Sequence, residues 1–173
     1  PIITKGIGDI YIQSGLGFDI GAPLVTLDTL TIHSSGIISQ SAAVRAATLM
    51  LGKTGNTGTY TLTNESNNAV DLRAVATGSI SYTDTDGVIL RNVTTAGDVT
   101  IAAGGNISIE NTGIQMKSGP GNASLSNTIG TITVKWNGIR SNGNVTVNSV
   151  GTISSSSNAI DTASGTGFIS LIS

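Results

Sequence analysis

Chemistry in this chain would have to come from very few side chains. Its carboxylates are ten in number, and only Asp84 and Asp86, in "TDTDG", stand close together. Alternating Asp with a following Gly places oxygen ligands at a turn, which suits calcium. Asp84 and Asp86 are therefore the calcium candidates, but one pair falls short of the ligand count, and a solvated turn is the ordinary use of the pattern. Glycosidase chemistry needs two carboxyl groups roughly 5–10 Å apart on one face, and the sequence shows no such cluster. His33 is the single histidine and cysteine is absent, which excludes a Cys–His nucleophile, and no G-x-S-x-G elbow supports an activated serine. His33 reads as a strand-surface histidine. The expectation is a protein with no catalytic residues and no cofactor, not an enzyme.

Four side chains are candidates for surface contacts. Trp136 closes "TITVKW", where it either shields an edge by packing or offers a stacking face to a sugar; one aromatic without neighbours makes a poor sugar platform. Arg73 and Arg91 follow Leu72 and Leu90 in matching phrases, and Arg140 follows Ile139. Nucleic acid is not an expected partner, because the net charge is −2, aromatics are 3% and no basic cluster supplies an electrostatic footprint. No run approaches the ~18 apolar residues of a membrane span. The Asn-x-Ser/Thr triplets at Asn64, Asn92, Asn106, Asn122 and Asn144 are near the chance number for so Asn- and Ser-rich a chain.

The elements that must carry these residues are strands. Period-2 alternation runs through "DIYIQ" (9–13), "TYTLTN" (59–64), "SISYTD" (79–84), "DVTIA" (98–102) and "NVTVNSV" (144–150), the pattern of half-buried strands. The stretch "SAAVRAATLML" (41–51) is Ala-rich enough for a helix, but Gly36 and Gly52 crowd it and it reads as strand. Aligned on their opening turns, the units are Asp9–Asp28, Thr29–Gly58, Thr59–Gly78, Ser79–Gly97, Asp98–Gly121, Asn122–Gly143, Asn144–Gly165 and a short Thr166–Ser173. Inside them a polar residue, a small one and an inward aliphatic recur as "NAV" (68–70), "DGV" (86–88), "TGI" (112–114), "NGI" (137–139) and "NAI" (158–160). That is the composition of a tight corner.

Units of about twenty residues without a helical crossover predict an all-β fold, a parallel β-helix or β-solenoid. Residues 1–173 would form a single β-helical repeat segment, part of a longer chain or stacked with neighbours. Seven or so coils at the strand spacing of ~4.8 Å give a rod about 35 Å long. Like charges on successive coils would repel, which accounts for outer positions filled by Ser, Thr and Asn and for a charged content of only 10%. Two statements about register follow. Arg140 and Asp161 should sit side by side as an exposed pair, and Arg73 and Arg91 should be adjacent, either splayed apart or marking an anion-contacting patch.

The order of phrases from Asp28 to Ile109, with "DTLTIHSSGIISQ", "YTLTN", "GSISYTD" and "GDVTI", resembles the repeat region of filamentous-haemagglutinin-like large bacterial surface adhesins. The likeness covers about half of the chain and lies in the scaffold, so it transfers no site residue. It implies a secreted β-helical passenger, extracellular or at the cell surface, exported through a partner outer-membrane pore; the family's amino-terminal secretion domain is not among these residues. The implied partners are host, neighbouring-cell or matrix surface molecules. A start at Pro1 without Met and a last run, "GFISLIS", are expected of a segment of a longer protein. The expected function is that of a structural and adhesive repeat segment of a secreted cell-surface adhesin or extracellular fibre. One alternative is a self-assembling filament subunit, a homopolymer joined end to end by β-strand addition through its terminal strands. A third reading is a polysaccharide-binding or polysaccharide-degrading β-helix.

Overall fold

Alternating aliphatic and small polar residues with no helical period can bury their apolar half only in stacked strands. The computed structural model describes residues 2–3, 8–55, 58–75, 78–116, 120–135, 137–155, 160–162 and 167–173. Among them are strands only, in a twelve-stranded and an eight-stranded sheet. The strands pair in parallel with their equivalents on neighbouring coils, giving a β-solenoid of about 7 turns with coils about 21 residues apart. One coil is typical. Strand Val99–Ala103 lies in the eight-stranded sheet, the chain turns, and the long strand Ile107–Met116 bends across the other. The next coil's Ala123–Asn127 then lies directly on Val99–Ala103. The stretch 41–51 carries strand Val44–Gly52, as read from its glycines.

Inward side chains stack in columns. One runs Ile12, Ile32, Leu51, Ala74, Val93, Ile114, Ile139, Ile160. Another runs Tyr60, Ile80, Val99, Ala123, Val145, Ile169. Each large aliphatic so enclosed contributes about 1.5–3 kcal/mol, and only a neighbouring coil on each side encloses it. Two tyrosines enter this core with their hydroxyls paired: Tyr60 accepts the Ser34 N–H at 3.1 Å, and Tyr82 donates to Asp84 at 2.6 Å.

The opening turns lock one coil to the next. Asp98 Oδ1 accepts the Asn122 N–H at 2.7 Å, Asn122 Oδ1 accepts the Asn144 N–H at 2.9 Å, and Asn144 Oδ1 accepts the Phe168 N–H at 3.1 Å. Each polar side chain thus satisfies a backbone donor that the turn leaves unpaired. The preceding residue must be Gly because the coils touch there. A Cβ on Gly121 would stand 2.5 Å from the Gly97 carbonyl oxygen.

Two parts of the unit alignment are corrected. Ile10 and Leu30 stack on Leu49 and Leu72 in the twelve-stranded sheet, so cuts at Asp9 and Thr29 fall on a different face from those at Thr59, Ser79 and Asp98. The first strands of the eight-stranded sheet are Phe18–Ile20 and Ile37–Gln40. They escaped notice because Gly17 and Ile37 stand at the position where later coils carry Thr, Ser, Asp or Asn. At the other end Val145 pairs with Ile169, which moves the last boundary to Phe168; Thr166 lies outside the described residues.

The corner triplets also divide into two sets. Ile114, Ile139 and Ile160 share one column, whereas Val88 stacks on Ile107 in another; Asn158 and Ala159 are outside the described residues. Val70 is not inward at all. It is 58% exposed and Ala69 is buried in its stead, because Asn67 turns into the core and shifts the alternation by one residue. Its Oδ1 accepts the Val44 N–H at 2.8 Å and its amide donates to the Leu62 carbonyl at 3.1 Å.

Candidate functional site

The twelve-stranded sheet carries a charged ladder on its outer side. Leu72, Leu90, Ile109 and Val134 form one inward column, and the residues that follow them, Arg73, Arg91, Glu110 and Lys135, face outward. Arg91 donates to Glu110 Oε2 at 2.7 Å, and Lys135 Nζ lies 3.2 Å from Glu110 Oε1. Arg73 and Arg91 both reach Asp71 Oδ2, at 2.8 and 2.7 Å. The two arginines therefore neither splay apart nor present a free anion patch; a carboxylate of their own chain holds them. Arg91, and after it Lys135, hold the Glu110 carboxyl below the usual carboxylate range. The Asp71 side chain is only 6% exposed, and its Oδ1 is buried without a hydrogen-bond partner among the described residues.

Arg140 stands apart from this ladder, in register with Asp161 on one side and Gln115 on the other. Its Nε lies 3.5 Å from Asp161 Oδ2, with both side chains largely in solvent, so the predicted cross-strand pair is the one observed. Exposed pairs of this kind contribute roughly 0.2–1 kcal/mol. His33 lies on the outer side of strand Thr29–Ser34, its Nδ1 2.9 Å from the Tyr11 hydroxyl. Trp136 lies outside the described residues.

Asp84 and Asp86 occupy opposite environments. Asp84 turns inward and is 2% exposed: Oδ2 accepts the Tyr82 hydroxyl at 2.6 Å and the Ala69 N–H at 2.9 Å, and Oδ1 accepts the Asp86 N–H at 3.1 Å. It heads a column of corner residues, Asp84, Ala103, Asn127, Ser149, and caps the end of its strand. Asp86 is exposed and holds the Asn68 amide and the Gly87 N–H. A solvated turn thus describes Asp86 but not Asp84, whose oxygens are already engaged. No group of three or more His, Cys, Asp or Glu able to hold a metal ion occurs among the described residues.

Burial pushes the Asp84 carboxyl up to about 6, while hydrogen bonding with Asp84 holds Asp86 low. For Asp84 the folded value lies above the unfolded one, near 3.9, so the folded state prefers the protonated form. Its contribution to stability rises as pH falls through 6 and levels off below the unfolded value. Between pH 7.5 and 5 the gain is about 1.5 kcal/mol. Burial, and then Lys53, lower the His33 pKa, which opposes that trend, so the comparison should be with Asp84→Asn. Melts at both pH values should show wild type gaining stability over the variant at pH 5; parallel behaviour would refute the assignment.

A third feature was not apparent from the sequence. A cleft of about 730 Å³ runs along the outer edge of the eight-stranded sheet, lined by Thr63, Glu65, Thr83, Asp84, Ser126 and Asn148 among others. The charged ladder and the cleft share one missed signal: membership of a column, which appears only once the inward aliphatics of successive coils are aligned. No protein-family model, curated protein or solved structure matches the chain. The class is defined by the fold itself, a β-solenoid repeat protein.

Proposed function

We propose that the chain is a structural and adhesive repeat segment of a secreted bacterial cell-surface adhesin or extracellular fibre, resembling the filamentous-haemagglutinin-like passengers. Its role is to hold binding surfaces away from the cell and to touch host, neighbouring-cell or matrix molecules along its length. The observation that supports this most is continuity. The inward columns and the Asp98–Asn122–Asn144 ladder tie every coil to the next, so that the rod resists bending, and repeated weak contacts along a stiff body add up by multivalency. The test is to immobilise the purified chain on beads and count attachment to epithelial cells and extracellular matrix. Attachment above that of beads carrying an unrelated β-solenoid is expected; equal attachment would remove the adhesive part of the reading.

A second reading, end-to-end assembly by strand addition, draws on the continuity of the columns, in which Ile169 and Leu171 stack on Val145 and Val147 as one more coil would stack on them. Particles that lengthen with concentration under negative stain would support it, and a constant length would dismiss it.

A further inference from the structure

We propose that the cleft beside the eight-stranded sheet binds an uncharged linear glycan lying along the rod axis; this rests on the adhesive reading and gives it a ligand class. The cleft repeats with the coils. Thr83, Ala102, Ser126 and Asn148 are paired equivalents on four successive coils, and all four line it. Beside them, two residues earlier on each strand, runs a second outward column: Thr61, Ser81, Thr100, Ser124, Thr146. None of the hydroxyl or amide side chains in these two columns makes a hydrogen bond among the described residues.

Free hydroxyls also occur elsewhere: among the described residues Thr31, Thr48 and Thr94 on the other sheet make no side-chain hydrogen bond, whereas Ser39 on this sheet donates to Asp19. At the corners the hydroxyls of Ser34, Thr95 and Ser141 are all engaged with backbone. On the other sheet Ser108 donates to Glu110 and Ser154 to Thr133. What sets the cleft apart is that its unspent donors and acceptors recur along a concave surface, at a step of ~4.8 Å along the axis. An extended β-linked hexose chain advances by nearly that step, so successive sugars meet successive rungs and each hydroxyl finds the same kind of partner.

Charge and rim narrow the class. The lining includes no Lys or Arg, its ionisable groups being Glu65 and the enclosed Asp84, and the basic side chains Arg73, Arg91 and Lys135 lie on the other sheet. A polyanion would be repelled here and a neutral chain is not. Asn127, also in the lining, fixes the backbones of Ile129 and Val150. The apolar part of the lining itself is Ala102 and Ala103, a small wall for the C–H face of a sugar ring beside the polar groups that fix its orientation.

The test is calorimetric titration of the full chain with hexasaccharides of β-1,4-glucan, β-1,4-mannan and β-1,3-glucan, and with a heparin hexasaccharide. One of the neutral three should bind, at least tenfold more tightly than its own trisaccharide. Ser126→Ile, which fills the cleft from an outward position without a hydrogen-bonding group or a stacking face, should weaken that binding at least tenfold, and Arg140→Ser on the other sheet should leave it unchanged, with circular dichroism melts confirming that both variants fold. Binding of heparin alone, neutral binding that survives Ser126→Ile in the folded variant, or no binding at all would each overturn the proposal. In the last case, beads that still attach to cells would leave the adhesive reading standing, and only the glycan would be lost.

Discussion

Gly113→Ala is expected to cost the rod about 3–5 kcal/mol, the sum of a left-handed backbone penalty and a steric one. Gly113 has φ +62°, where a Cβ meets the following carbonyl and costs roughly 1–2 kcal/mol. The space is closed as well: the Gly138 carbonyl of the adjacent coil occupies the position that the new methyl would need. Gly138 is itself at φ +57° and precedes Ile139, as Gly113 precedes Ile114, in a paired column. The two glycines let neighbouring coils make the same bend in contact. Gly15→Ala is the control, since nothing lies within 4 Å of a Cβ there; it should be neutral or gain a few tenths of a kcal/mol. Chemical denaturation reads both, and equal midpoints for the two variants would contradict this account of the bend.

Arg91→Ala is expected to cost about 2–4 kcal/mol, below the range for stripping a wholly buried pair because Arg73 remains on Asp71. Without Arg91, the nearly buried Asp71 keeps one cation, its Oδ1 still has no partner among the described residues, and Glu110 keeps one cation, the half-exposed Lys135, beside the Ser108 hydroxyl. Loss of the packed guanidinium stem adds to the cost. Arg140→Ala, at a pair in solvent, should change stability by no more than about 1 kcal/mol, and only its small effect should fade in high salt. A double variant, Asp71→Leu with Arg91→Met, should recover most of the loss, since apolar groups of similar volume replace such pairs at little cost. If Arg91→Ala melts with wild type, the ladder is decoration on the surface rather than part of the fold.

How much of this was legible depends on whether a residue acts by its own type or by its place in a column. Gly97–Asp98, Gly121–Asn122 and Gly143–Asn144 announce themselves, because a tight approach and an unpaired N–H demand those residue types locally. The pairing of Arg140 with Asp161 followed from two adjacent triplets in the same phase. Arg73 and Arg91 were placed correctly as neighbours, but their partner was missed. Asp71 serves both because it lies two residues before Arg73 on the same outer face and one coil away from Arg91, a reach between coils that alternation within one strand does not show. In "TDTDG" the two carboxylates look interchangeable. Only the inward phase of Tyr82, two residues earlier, sends Asp84 into the core and leaves Asp86 in the turn.

The nearest-neighbour stacking of coils also determines how the molecule would answer a pull along its axis. Each coil is held by the one before and the one after, so tension applied to an end releases one coil at a time while the rest stay folded. A freed coil of about 21 residues pays out roughly 70 Å of extended chain, where it had occupied ~4.8 Å of rod. Extension in steps of that length, one per coil, is what pulling on the two ends should record.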